Sequence, residues 1–279
     1  MSGLAASRRE GIDCERHDGV AVIAFDRPER RNALDIPMRT EFARVVAQAI
    51  ADEGVRAIVL TGRGGQFCAG GDIGSMRSAE GLTAEAGRRR MRSMLDTVSA
   101  LYSCDKPVLA AVEGAAFGAG FALALLADLI VAAQGARFCM SFARVGLVPD
   151  SGALYTLPRI VGLQRAKELM LSARELDAQE ALALGIAVEL TPEGGALERA
   201  LELARSLTQA SPAAVAMTKT ALNVSLSSDL RSMLELEANA QGVAFASGYH
   251  REAVERFVAK QAPHFRWPAA GRKPGGGST

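Results

Sequence analysis

The stretch from Val108 to Ala133 limits what this chain can become more than any other part of it. It is almost wholly apolar, rich in small residues, and starts directly after Lys106-Pro107. Glu113 and Asp128 interrupt it, so only Gly114 to Ala127 is free of charge between them. A bilayer-spanning helix needs about 20 apolar residues, and this run falls short of that. The segment therefore divides into a strand at Val108 to Val112, a turn, a small-residue helix from about Gly118 to Ala127, and a strand at Leu129 to Ala132. A helix this poor in polar residues is a core helix, and it requires other layers around it.

The rest of the chain supplies them. Gly19 to Phe25 (GVAVIAF) and Ala57 to Leu60 (AIVL) read as buried strands. Between them, Asp35 is placed to cap a helix with Pro37 in its first turn, and Phe42, Val45, Val46, Ala49 and Ile50 form its apolar face. A long helix is expected from about Thr83 to Cys104, with Met91, Met94, Leu95, Val98, Leu101 and Tyr102 inward and Lys106-Pro107 ending it. Beyond Gln164 the pattern turns helical, over 165–171, 178–184, 197–207, 217–226, 230–247 and 251–260. Strands early and helices late give an α/β fold: one core over 12–205, a helical region over 206–267, and tails at 1–11 and 268–279.

Lys plus Arg less Asp plus Glu is 32 − 31 = +1, so no net field draws the whole molecule to nucleic acid or anionic lipid. The cluster Arg88-Arg89-Arg90 with Arg92 has no interleaved aromatics and reads as the solvated face of the long helix. Cys14, Cys68, Cys104 and Cys139 form no C-x-x-C pair, and residues 1–11 have no apolar leader, so a reducing cytoplasm is expected. His17, His250 and His264 have no metal-ligand spacing, so no metal is expected.

Three loops could carry chemistry. Thr61 to Ile73 (TGRGGQFCAGGDI) is dense in glycine, yet Phe67 stands where a dinucleotide fingerprint needs its third glycine, and no Gly-Lys-Ser/Thr follows. Such a loop lets backbone N–H groups approach a ligand, or is simply a turn capped by Asp72. Gly114 to Ala122 (GAAFGAGFA) opens the buried helix and either presents unpaired N–H groups or packs closely. Phe138 to Gly152 (FCMSFARVGLVPDSG) places Asp150 after a proline, where taken alone it reads as an N-cap.

Taken together the loops resemble the crotonase superfamily, the enoyl-CoA hydratase/isomerase family. The resemblance runs from Asp26-Arg27-Pro28 and Arg31-Asn32-Ala33-Leu34, through Cys68 to Ile73 and Pro107 to Asp128, to Phe257-Val258-Ala259-Lys260. It implies a spiral of ββα turns with a helical C-terminal trimerisation region, an acyl-CoA thioester as substrate, no separate cofactor, and a homotrimer or hexamer. It implies an oxyanion hole made by the N–H groups of Gly71 and Ala119, where two donors would hold an enolate oxygen. It places coenzyme A over Arg27, Arg30, Ala33, Leu34, Ala69, Gly70, Gly71 and Asp72, with Lys260 reaching a neighbouring subunit's site.

The family's hydratases use two glutamates, and the matching positions here are Ala122 and Phe142. Neither can exchange a proton. Asp150 instead matches the single carboxylate of the family's 3-enoyl-CoA and epoxyphenylacetyl-CoA isomerases, so an isomerase with Asp150 as its base is expected. Burial against Phe142 and Leu147 would raise its pKa toward the working pH. Open beside it are a hydratase in name with weak hydration, a dehalogenase using the same aspartate, and an acyl-CoA binder without chemistry. The dehalogenase pairs its aspartate with a tryptophan, whereas Phe142 stands near that position and the single tryptophan is Trp267. Residues 74–90 are expected to border the acyl pocket.

Overall fold

The computed structural model describes residues 6–74 and 83–269, the side chains of Arg90 and Ser93 aside. The strands are β1 (Ser7–Arg9), β2 (Ile12–His17), β3 (Val20–Phe25), β4 (Ala57–Gly62), β5 (Val108–Val112), β6 (Ala115–Phe117), β7 (Leu129–Ala133), β8 (Arg137–Cys139), β9 (Glu175–Asp177) and β10 (Glu189–Thr191). The helices of the core are α1 (Ile36–Ala51), α2 (Ala84–Ser103), α3 (Ala119–Ala124), α4 (Ala153–Val161), α5 (Leu163–Ser172), α6 (Ala178–Ala183) and α7 (Ala196–Thr208). Three more follow: α8 (Pro212–Ser225), α9 (Leu230–Ala246) and α10 (Gly248–Val258).

A seven-stranded sheet has the order β1-β2-β3-β4-β5-β7-β10, parallel from β3 onward, and a second sheet has the order β6-β8-β9. Successive strand–strand–helix turns stack from one sheet to the other, which is the α/β spiral expected. Residue alternation along the strands divides the core into two layers. Val20, Val22, Ala57, Val59, Leu109 and Val131 face α7, which meets them with Ala196, Ala200, Leu203 and Ala204. Ile23, Phe25, Ile58, Leu60, Ala110 and Val112 face the other way, onto Met38, Phe42 and Val45 of α1, Leu101 of α2 and Phe121 of α3. Each large side chain buried here contributes roughly 1.5–3 kcal/mol.

Local signals fix the element ends. The Asp35 carboxylate accepts from the Met38 N–H at 3.0 Å to start α1, and Thr83 does the same for the Ala86 N–H to start α2. Several expectations need correction. Met91 and Leu95, expected inward on α2, are 37% and 56% exposed, because α2 turns Met94, Thr97 and Leu101 to the core instead. The helix expected to reach Ala127 ends at Ala124, since Leu126 and Ala127 bond to carbonyls three residues back and tighten the last turn. Ser7–Arg9, assigned to the N-terminal tail, pair with β2, and Ala269, assigned to the C-terminal tail, accepts a hydrogen bond from Arg199 at 2.8 Å. Of residues 74–90, expected beside the acyl pocket, 75–82 lie outside the described residues, as do 1–5 and 270–279 of the tails. Arg88, Arg89 and Arg92 are exposed, as a solvated face requires.

The C-terminal helices are less covered. Neither α9 nor α10 has a buried residue, and Leu222, Leu226, Leu230, Phe245, Phe257 and Val258 are more than half exposed. Among the described residues no helix is long and apolar enough to cross a membrane.

Candidate active site

Three loops that are distant in sequence are laced together by backbone hydrogen bonds around Cys68–Gly71. On one side the Leu34 N–H donates to Gly70 O at 2.7 Å, the Asp72 N–H to Leu34 O at 3.0 Å and the Ala69 N–H to Arg31 O at 2.9 Å. On the other, the Cys68 N–H donates to Ala115 O and the Phe117 N–H to Cys68 O, both at 2.9 Å. Two glycines allow the approach. A Cβ on Gly70, whose φ is +94°, would lie 2.7 Å from Phe117 O, and one on Gly120 would lie 2.2 Å from Cys68 O. The density of glycine in both loops thus records how closely two backbones pass.

The same lacing sets the segment that holds Gly71 beside the segment that opens α3. The bridge between Leu34 and Gly71 uses the amide of Asp72 and the carbonyl of Gly70, so the Gly71 N–H points away from Leu34. Ala119 is the first residue of α3, where an N–H has no partner within the helix. Its nitrogen is 3.4 Å from the position a Gly70 Cβ would take. The two backbones that carry the expected N–H donors thus pass within contact of each other at Gly70 and Ala119.

Asp150 follows a 3-10 turn at Ser141–Val145 that is folded back by the Leu147 N–H donating to Phe142 O at 3.0 Å. The cap residue of α4 is Gly152, not Asp150, so the N-cap reading is not what forms. The Asp150 carboxylate instead accepts from the Ser151 hydroxyl at 2.9 Å. Burial pushes its carboxyl above the usual carboxylate range, against the opposing pull of the Ser151 hydrogen bond and the Arg39 guanidinium. The Arg39 guanidinium, on α1, also lowers the Cys68 thiol, against the larger effect of burial. Phe142 is buried, whereas Leu147, expected to share in covering Asp150, is 47% exposed. Ala122 is fully buried one helical turn from Ala119.

Other acids in the core already have cationic or amide partners. Asp128 accepts from Lys219 at 2.9 Å and from the Val108 N–H at 2.7 Å. Glu113 accepts from the N–H groups of Gly194 and Ala196 at the start of α7, and Glu41 pairs with Arg44. Cys68, central to the lacing, is pushed up to about 12 by burial and is no nucleophile at neutral pH. Among the described residues no three His, Cys, Asp or Glu side chains cluster as a metal site would.

The residues expected over coenzyme A fall into two groups. Arg27, Arg30, Ala33, Leu34, Ala69, Gly70, Gly71 and Asp72 sit on the two loops tied together at Leu34. Arg30 is exposed, but Arg27 donates to Asp35 at 2.6 Å and to Asp72 at 3.5 Å, so its charge is shared with two carboxylates. Lys260 lies beyond α10, exposed, outside this set of contacts. Sequence reasoning missed two amides that support the loops. Asn32, fully buried, accepts from the Arg27 N–H at 2.8 Å and donates to Arg63 O and Gln66 O at 3.0 and 2.6 Å. Gln66 accepts from the Ala115 N–H at 2.9 Å. Asn32 lay in a quoted motif, but nothing in the sequence says where a buried amide finds its partners.

Comparison with known proteins agrees with this geometry. Residues 15–268 match the family model described as enoyl-CoA hydratase/isomerase. The chain is 43% identical to a probable enoyl-CoA hydratase of Rhodobacter capsulatus, over 91% of this chain and 97% of that one. It is 35% identical to the 1,2-epoxyphenylacetyl-CoA isomerase of Escherichia coli, over 88% and 95% of the two chains. The crystal structure of an enoyl-CoA hydratase/isomerase from Cupriavidus metallidurans superposes with a TM-score of 0.90 at 43% identity, covering 95% of this chain and all of that one. From its motifs and these matches, the chain belongs to the enoyl-CoA hydratase/isomerase family.

Proposed function

We propose that this enzyme is an acyl-CoA isomerase in which Asp150 moves a proton between two carbons of the acyl group. The observation that supports this reading is which of the family's acid positions hold a carboxylate in this chain. Ala122 and Phe142 occupy the positions of the two hydratase glutamates, and of the three positions that carry the family's acids only 150 has a carboxylate, held by a neutral hydroxyl. The likeness to an epoxyphenylacetyl-CoA isomerase points the same way.

Coenzyme A lies along the loops at 27–34 and 69–72, which brings the thioester carbonyl to the N–H groups of Gly71 and Ala119. Asp150 takes a proton from one carbon, and the electron pair moves onto the thioester oxygen as an enolate. The two donors hold that charge, and removing one such donor typically costs about 2.7–4 kcal/mol. The same carboxyl then returns the proton to another carbon. Its raised pKa suits both halves, because it makes the carboxylate a stronger base and leaves the carboxyl able to give the proton back. Hydration would need a second group to hold and activate water, so crotonyl-CoA is hydrated at no more than a trace rate.

The assay is isomerisation and α-proton exchange across a panel of enoyl- and aryl-CoA esters, with wild type beside Asp150→Asn. Turnover falls by about 10²–10⁴-fold in the variant. As pH falls through the raised pKa, wild-type turnover is lost, because the base is then protonated. Thermal stability does not fall with it: a carboxyl whose folded pKa is raised opposes folding above its unfolded pKa, and Asn removes that charge. Turnover of Asp150→Asn within a few-fold of wild type would end this reading. We also propose a homotrimer or a hexamer, with the exposed apolar residues of α8, α9 and α10 covered by neighbours and Lys260 beside a neighbour's coenzyme A. A monomeric mass by light scattering at micromolar concentration would refute the assembly.

A further inference from the structure

We infer that Ser151 is a positioning residue for the proton transfer: its hydroxyl holds Oδ1 of Asp150, leaving Oδ2 as the oxygen that carries the proton. This rests on the reading of Asp150 as the base. The hydroxyl donates to Oδ1 at 2.9 Å across adjacent residues, an arrangement that extended or helical backbone does not favour. What permits it is the turn. Ser151 has φ +52° and Gly152 has φ +85°, so two successive residues are left-handed before α4 begins. The Ala153 N–H closes that turn on Asp150 O at 3.0 Å.

Glycine is the residue that suits a left-handed position, and the next position has one. At 151 the chain has a serine in the less favourable conformation, and its side chain is spent on the candidate base. Backbone strain kept beside a reacting group points to a role for the strained residue. Among the described residues around this turn, the Ser151 hydroxyl is the neutral donor bonded to the carboxylate. From α1 the Arg39 guanidinium acts on the same carboxyl, while Val98 of α2 and Leu126, just past α3, both apolar, lie at Gly152. Ser151 and Arg39 both favour the ionised form, and burial opposes it.

The test compares pH profiles of kcat/KM for isomerisation or α-proton exchange in wild type, Ser151→Ala and Ser151→Gly, with Asp150→Asn as reference. Loss of the hydroxyl raises the pKa of the base, so the acid limb moves to higher pH, by about one unit for one hydrogen bond to a charged group. KM stays within about twofold, because the Ser151 hydroxyl is spent on Asp150. Ser151→Gly relieves the left-handed strain, so its melting temperature is not lower than wild type, which separates this effect from a structural one. An unmoved limb in Ser151→Gly, with Asp150→Asn inactive, overturns the role of Ser151 and leaves the base in place. Full activity of Asp150→Asn overturns both.

Discussion

Replacing Gly120 by alanine puts a methyl carbon 2.2 Å from Cys68 O and 2.8 Å from the carbonyl carbon and Cβ of Cys68. Ordinary contact needs about 1 Å more, and in a close-packed interior both neighbours are backbone or buried side chain. The only relief is to separate the glycine-rich loop from the start of α3. That is the same separation that sets the distance between the N–H groups of Gly71 and Ala119. A displacement of about 1 Å at such a site costs on the order of 10²-fold in rate, or about 2.7 kcal/mol. Overpacking also costs about 1–3 kcal/mol of stability. For a chain of this size that lowers the melting temperature by roughly 2–5 °C. The assay is α-proton exchange of an acyl-CoA in deuterated buffer, followed by NMR at a temperature where the variant is folded. It requires no choice between hydratase and isomerase. If Gly120→Ala exchanges within about threefold of wild type while folded, the two loops do not jointly build an oxyanion site, and the reasoning from their close approach is wrong.

Two further outcomes are expected. Lys219→Ala leaves Asp128 with a buried charge and should destabilise by roughly 3 kcal/mol, the low end for a buried pair because 29% of the Asp128 side chain is exposed; adding Asp128→Asn, which keeps an acceptor for the Val108 N–H, recovers more than half of that by denaturant titration. Asn32→Ala removes an amide that serves both site loops and should cost at least about 2 kcal/mol, read as a lower denaturation midpoint at unchanged slope, with weaker coenzyme A binding by calorimetry.

Much of the frame was legible along the chain. β3, β4, β5 and β7 are runs of β-branched and small apolar residues long enough to show their character, and α1 starts where Asp35 can cap it. The strands β6, β8, β9 and β10 were not seen, because three residues are too few to display a period of two. The inward face of α2 was misjudged at Met91 and Leu95, since a helix that is apolar on a wide arc does not say which part of the arc meets the sheet.

The sequence by itself determined the residue types available for chemistry: an aspartate at 150, no acid at 122 or 142, and glycines at 70, 71, 118 and 120. Those facts limit the reaction before any coordinate is known, because a methyl group and a phenyl ring cannot exchange protons. Only the tertiary structure decided the rest. It laced the glycine-rich loop at Cys68 to the segment that opens α3, committed Arg27 to Asp35 and Asp72, and set the Ser151 hydroxyl against Asp150. Sequence patterns report the local preference of a residue, whereas a hydrogen bond to a distant carbonyl or the loss of solvent around a carboxylate depends on which other segments arrive beside it.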